Sequence, residues 1–168
     1  RKSVVQNFDG SLRNRQTVTR DNTTGTTIVA ESFYDYQGRP VIQVLPAPTI
    51  NPMIAYAKNF NQFANFTGYP KEAYDKSDAG SAICSSPAKP LSSATGTANY
   101  YSPNNPVIND NVTAYNADKY IPNSEGSVPG EAYPFTETRF TADGRIATQS
   151  GVGPAFQIGS GHETKYYY

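Results

Sequence analysis

Short runs of aromatic and β-branched residues, separated by polar turn residues, recur towards both ends of the 168-residue chain. Such runs are typical of strands whose side chains pack on one face of a sheet. Glycine and proline, 13 of each, add frequent turns and disfavour long helices. The chain is therefore expected to be mainly β and built from antiparallel hairpins. The predicted strands cover residues 27–30, 32–36, 40–44, 135–140, 145–150 and 163–168.

One motif occurs twice within these strand-rich regions, over residues 34–43 and 140–149. Both copies read aromatic-x-x-x-Gly-Arg-x-x-x-Gln. A degenerate copy starts at Phe8, with Leu12 in the glycine position and Gln16 three residues beyond its arginine. A unit repeated along a chain usually represents one supersecondary module that stacks on itself. The motif therefore predicts an architecture before it predicts any chemistry.

The motif has the properties of a hairpin turn. In the first full copy Asp35 can accept backbone N–H bonds, Gly38 can adopt a positive φ, and Arg39 starts the returning strand. Tyr34 and Phe140, which open the two copies, are expected to lock adjacent strands. Taken singly, each could be an ordinary turn residue, but the shared spacing favours a repeat. The residues assigned to the turns are Tyr34, Asp35, Gly38, Arg39, Phe140, Asp143, Gly144 and Arg145.

The degenerate copy departs from the pattern at its turn. Leu12 stands where the other copies have glycine, and a leucine rarely adopts a positive φ. The first turn is therefore expected to be longer or differently shaped.

The motif-bearing regions, 1–48 and 133–168, flank a middle region of different composition, 49–132. Prolines at positions 46, 48 and 52 are expected to interrupt β pairing where this middle region begins.

The middle region itself carries two further signals. Asn51 and Pro52 resemble a helix start, and apolar residues between 54 and 64 share one helical face, so one short helix is predicted there. Residues 81–99 are rich in small and polar residues and predict a surface loop.

The charge balance gives no indication of a polyanionic partner. The chain has 14 basic and 14 acidic side chains, which provides no electrostatic case for nucleic acid or an anionic membrane. No apolar run is long enough for a membrane span, and no signal peptide is recognisable. The chain starts at Arg1 and ends within a predicted strand, so we expect it to be a piece of a longer polypeptide.

Candidate catalytic and metal-binding groups are sparse. His162 is the one histidine, and Tyr166 stands where a zinc-protease helix would need a second histidine. Cys84 is the one cysteine and cannot form an internal disulfide. The acidic residues of the middle region are scattered and show no metal-ligand spacing. We therefore predict no catalytic residue, cofactor or metal.

The Tyr-Asp-x-x-Gly-Arg pattern of residues 34–39 resembles the YD repeat of RHS (rearrangement hotspot) proteins. The resemblance extends over residues 5–48 and 133–168, which look like segments of RHS proteins from bacteria that use type 9 secretion. Between them it is patchy.

This resemblance implies a fold and a function. RHS chains coil a ribbon of hairpins into a hollow β-shell that encloses a toxic C-terminal domain until delivery. The chain would then be a non-enzymatic wall segment of such a shell, with one short helix and long loops. Its partners would be the rest of the same polypeptide and an enclosed toxin, with an outer-membrane secretion translocon as a further candidate. Its location would be secreted or on the bacterial cell surface.

Two other functions stay open at this point. An adhesin or carbohydrate-binding module could use tyrosine clusters such as Tyr100-Tyr101 and 166–168 to stack on sugars. A hydrolase is the third alternative, although no spacing of acids supports a catalytic pair.

Overall fold

A computed structural model describes residues 1–49, 51–63, 68–75, 87–102, 126 and 128–168. Within these ranges the chain is mainly β, which confirms the predicted class. The strands are β1 Lys2–Phe8, β2 Asn14–Asp21, β3 Thr27–Tyr34, β4 Pro40–Thr49, β5 Leu91–Ser92, β6 Glu131–Ala132, β7 Phe135–Phe140, β8 Ile146–Gln149 and β9 Thr164–Lys165. The α-helix α1 covers Gly96–Tyr100, and 3₁₀ turns cover Lys71–Ala73 and Pro154–Phe156.

The described strands form one large antiparallel sheet and one small one. The large sheet has the order β1-β2-β3-β4-β7-β8-β9, and β5 pairs with β6 separately. Strands β1 and β9 lie at the two edges of the large sheet. The polypeptide between β4 and β7 leaves this sheet and returns to it without changing the strand order.

The expected interruption of β pairing by prolines 46, 48 and 52 holds only in part: regular pairing with β3 is interrupted at residues 45 and 46, but β4 continues through Pro46 and Pro48 to Thr49. A bulge makes this possible: Glu31 pairs with Val44 and Val29 with Ala47, so the intervening β4 residues have no regular partner on β3. Their backbone groups bond elsewhere. The N–H of residue 45 donates to the Pro134 carbonyl, and the hydroxyls of residues 97 and 101 donate to the carbonyls of residues 45 and 46.

The hydrophobic core lies between one face of the large sheet and the middle region. Phe33, Ile42 and Phe135 from the sheet are at most 2% exposed, and Leu91 and Ala98 from the middle region are 0% exposed. The middle region therefore packs on the sheet. Fully burying a side chain such as phenylalanine contributes about 1.5–3 kcal/mol to the stability of the fold. The buried cluster comprises Phe33, Ile42, Val44, Tyr69, Ala73, Ala88, Leu91, Ala98, Ala132 and Phe135.

The predicted helix over 51–64 is wrong for residues 51–63, which contain no helix; residue 64 lies outside the described ranges. One local and two tertiary hydrogen bonds are formed instead of helical ones. Asn51 Oδ1 accepts the N–H of Met53, which closes a local turn. The N–H and C=O of Ala57 both bond to the amide of Gln16, at 2.8 and 3.1 Å.

The predicted surface loop over 81–99 is also wrong for its described part, 87–99, which contains β5 and most of α1. Its small residues permit close packing. Gly96 has a φ of 53°, and a β-carbon there would collide with the carbonyl oxygen of Phe60. The side chain of Thr97 is fully buried against β4. The small polar composition that indicated a loop therefore serves tight contact.

Candidate functional site

The turn at residues 35–39 places the predicted residues in one hydrogen-bonded unit. Asp35 Oδ1 accepts the N–H groups of Gln37 and Arg39 at 2.9 and 2.8 Å, and Asp35 Oδ2 receives Arg39 Nε at 2.6 Å. The N–H of Gly38 donates to the Asp35 carbonyl, and Gly38 has a φ of 83°. Because Asp35 is 5% exposed, this ion pair is largely shielded from water.

The degenerate first copy forms the same turn, so the expectation of a different shape is wrong. Asp9 Oδ1 accepts the N–H groups of Ser11 and Arg13, and Asp9 Oδ2 receives Arg13 Nε at 2.7 Å. Leu12 takes the glycine position with a φ of 59°. The Arg13 N–H bond and the neighbouring guanidinium, opposed by partial desolvation, lower the pKa of Asp9 below its usual 3.8.

The third turn keeps the backbone geometry but distributes the side-chain roles differently. Thr141 occupies the place of Asp35, and its hydroxyl accepts the N–H of Arg145 at 3.1 Å. Asp143 receives Arg145 Nε at 2.7 Å, while Gly144 has a φ of 86°. The hydrogen bond from the Thr141 hydroxyl, followed by that from Arg145, lowers the pKa of Asp143.

The three hairpins also share one strand register. The aromatic residue pairs with the residue after the arginine, and the residue before the aromatic pairs with the third residue after the arginine. The second residue after the arginine is therefore an extra, bulged residue in each hairpin. These bulged residues are Arg15, Val41 and Ala147.

This register corrects one sequence assignment. Gln16 is equivalent to Ile42 and Thr148, which are the third residues after their arginines. It is not the counterpart of the motif glutamines Gln43 and Gln149. Gln16 is 1% exposed and faces the core side of the sheet.

Successive hairpins join in a common register as well. The third residue after each arginine pairs with the residue three positions before the next aromatic. This rule holds on both sides of the middle region, so that region interrupts the sequence repeat without disturbing the sheet. The three pairs are Gln16 with Glu31, Ile42 with Glu137, and Thr148 with Lys165.

Each turn arginine also lies over the aromatic ring of the following unit. The guanidinium carbon of Arg13 is 5.0 Å from the centroid of Tyr34, and that of Arg39 is 4.5 Å from the centroid of Phe140. Arg145 makes the equivalent contact with Tyr168 at 4.5 Å. We call these three contacts the arginine–aromatic ladder. Cation–π contacts of this kind contribute about 0.5–2 kcal/mol each, depending on exposure.

The sequence motif does not predict the ladder, because it assigns each arginine only to its own turn and Tyr168 only to a tyrosine cluster. The spacing could have indicated that Tyr168 opens a further unit, because Tyr168 follows Phe140 by nearly the same distance as Tyr34 follows Phe8. Arg13 also passes close to Gly38, where a β-carbon would lie 3.4 Å from Arg13 Nη1, but the φ of 83° is what favours glycine at this position.

Two buried acidic residues of the sheet hold the middle region in place. Glu31, 5% exposed, accepts Gln16 Nε2 at 2.8 Å and Asn61 Nδ2 at 2.7 Å, and Arg15 Nη1 lies 3.6 Å away. Asn61 Oδ1 in turn accepts the N–H of Thr97. Each carboxylate oxygen thus has a hydrogen-bond donor, as a buried charge requires.

Glu137 plays the corresponding part on β7. One of its carboxylate oxygens accepts the buried N–H of Ala88 at 2.9 Å, and the other accepts Arg139 Nε at 2.9 Å. Glu31 and Glu137 occupy equivalent positions, three residues before Tyr34 and Phe140. The repeat therefore offers the same buried carboxylate twice to the middle region.

The described residues contain no group of three or more histidine, cysteine or acidic side chains that could hold a metal. His162 is exposed and its Nδ1 lies 3.1 Å from the Ala155 carbonyl. Cys84 lies outside the described ranges. Among the described helices, none combines the length and apolar character needed to cross a membrane.

Comparison with protein-family models, with curated proteins and with solved structures found no match to this chain.

Proposed function

We propose that this chain is a wall segment of an RHS-type β-shell that encloses and delivers a C-terminal toxin or effector domain. One observation carries the proposal: three hairpins share backbone turn bonds, bulge position and register, and they join side by side in one open sheet. Units that repeat in this way extend a sheet in one direction and need neighbours at both ends. This supports the resemblance to YD repeats.

The work of such a wall is confinement. Every hairpin added at the same register satisfies the backbone groups of its neighbour, and the ladder fixes the turns at one end of the sheet. The middle region stabilises this wall, because it packs on one face of the sheet and hydrogen-bonds to Glu31 and Glu137. No enzymatic activity is assigned to this segment.

Its partners under this proposal are the remaining hairpins of the same polypeptide and the enclosed domain. Export from a bacterium to the cell surface or the medium, with an outer-membrane translocon as the machine, belongs to the same proposal and rests on the sequence resemblance alone.

Limited proteolysis of the natural polypeptide tests this function. If the wall encloses a C-terminal domain, that domain resists protease in the folded polypeptide and is digested once the shell is opened with denaturant. The isolated C-terminal domain is the control. Equal digestion rates for the enclosed and isolated domain would overturn the proposal.

A carbohydrate-binding module is the second candidate, favoured by Tyr167, which is 88% exposed. Other tyrosines of the two clusters fit sugar binding less well. Tyr101 donates its hydroxyl to the Pro46 carbonyl, and Tyr168 lies against Arg145. Specific binding on a glycan array that is lost in Tyr167→Ala would favour this candidate over the wall.

A further inference from the structure

The ladder has a ring that no described arginine covers. Phe8 opens the first hairpin, as Tyr34 and Phe140 open the next two, and it is 54% exposed. It lies on β1, the edge strand of the sheet, whose Val4 and Val5 are 57% and 38% exposed. An exposed edge strand with apolar side chains is a template for pairing with another strand.

Phe8 borders a depression of the surface that is also lined by Gln6, Asn7, Asp9, Arg15 and Tyr56. The positive charge of Arg15 would not repel a second guanidinium strongly, because Glu31 lies 3.6 Å from it and the Arg15 guanidinium lies 3.7 Å from the ring of Phe33.

The register decides which kind of strand fits. In every junction between hairpins, a returning strand that follows an arginine turn pairs with the strand that leads to the next aromatic. Strand β1 leads to Phe8, so it requires a returning strand. The opposite edge, β9, leads to Tyr168 and is itself a leading strand. A second copy of this chain therefore cannot continue the ladder by placing its β9 against β1.

We propose that the outer edge of β1 is a docking site for a returning β-strand that begins with arginine, whose guanidinium lies over Phe8. The third residue after that arginine pairs with Val5, because Val5 stands three positions before Phe8 as Glu31 and Glu137 stand before their aromatics. This inference rests on the proposed wall function and specifies the chemistry and register of the neighbouring unit.

A chain with a second copy of residues 1–26 placed ahead of residue 1 tests the site. The spacing then puts the added Arg13 at the same distance before Phe8 as the native Arg13 stands before Tyr34. Hydrogen exchange of the β1 amides that do not pair with β2 is expected to slow by at least about tenfold relative to the parent chain. Unchanged exchange of these amides would overturn the proposal.

Phe8→Ala provides the matched control in both chains; in the extended chain only the native Phe8 is replaced, and the added copy is left unchanged. In the parent it alters an exposed ring and leaves β1 exchange unchanged. In the extended chain it is expected to remove much of the added protection, since the guanidinium loses its ring. Full protection despite Phe8→Ala would show generic edge pairing and overturn the arginine site. Proteolysis of the natural polypeptide tests the wall function separately, so the two failures are distinguishable.

Discussion

The guanidinium carbon of Arg39 lies 4.5 Å from the ring centroid of Phe140, although the whole middle region separates the two residues in the sequence. The same arginine binds Asp35 of its own turn at 2.6 Å. Arg39 therefore connects a local turn to the next hairpin. This contact joins the two parts of the chain that carry the clear motif.

We expect Arg39→Ala to destabilise the fold by about 2–4 kcal/mol, because it leaves the buried Asp35 carboxylate without its cation and uncovers Phe140. Urea unfolding measures the change. A double-mutant cycle with Phe140→Leu should give a coupling energy of about 0.5–1.5 kcal/mol. Additive single effects would show that the ladder contact is geometrical only. Arg39→Lys should recover part of the loss, since lysine keeps the charge but not the planar stacking.

The first turn offers a stabilising substitution. Leu12 is 84% exposed and has a φ of 59°, so its side chain gains little from burial while its backbone is strained. Leu12→Gly should stabilise by about 0.5–1 kcal/mol, the left-handed strain outweighing the greater freedom of unfolded glycine. The reciprocal change, Gly144→Ala, should destabilise by about 1 kcal/mol, although a β-carbon there meets nothing within 4 Å. Thermal unfolding curves of both variants check the sign.

The buried Glu31 should be intolerant even of a near-isosteric change. Glutamine would place an NH₂ group opposite either Gln16 Nε2 or Asn61 Nδ2, both of which are donors. We expect Glu31→Gln to cost about 1–3 kcal/mol and to expose residues 57–61 to protease. Glu72→Gln, on the exposed 3₁₀ turn, is the control. Unchanged stability of Glu31→Gln would argue against the anchoring role.

Tyr69 predicts a loss of stability in alkali. Its hydroxyl donates to the Lys89 carbonyl at 2.6 Å, and burial, followed by the nearby Glu137, raises the pKa of this phenol well above 10.0. The folded state thus retains a proton that the unfolded chain releases. The contribution is complete below about pH 10 and falls as the pH rises above it.

Tyr69→Phe should therefore flatten the decline of the free energy of unfolding as the pH rises above about 10. The decline should not vanish, because burial also raises the pKa values of Tyr74 and Tyr133. Tyr167→Phe changes an exposed side chain and serves as the control. The same slope in wild type and Tyr69→Phe would contradict the prediction.

Strands β3, β4, β7 and β8 and their hairpin turns were predictable because their signals are local, whereas β5 and β6 were not predicted and β9 covers only Thr164–Lys165 of the predicted 163–168. Asp35, Gly38 and the flanking β-branched residues act within a few positions of one another, and the structure contains a hairpin at each motif copy. The first turn shows the limit of such reasoning. Leu12 adopts the glycine conformation because Asp9 and Arg13 make the same bonds as their counterparts.

Other features depended on contacts distant in sequence. The predicted helix after Asn51 does not form, because the backbone of Ala57 bonds to the side chain of Gln16, and only the folded sheet brings these two residues together. The ladder and the role of Glu31 are likewise invisible to periodicity, because they join separate units. The sequence thus supplied the hairpins, and their mutual register came from the structure.

A cryo-EM map of the natural polypeptide that carries this chain tests the wall-segment proposal most directly. We predict a strand paired with the outer edge of β1, an arginine over Phe8, and a sheet that continues around an enclosed C-terminal domain. A map in which β1 keeps a free outer edge and the sheet surrounds no domain would contradict the proposal.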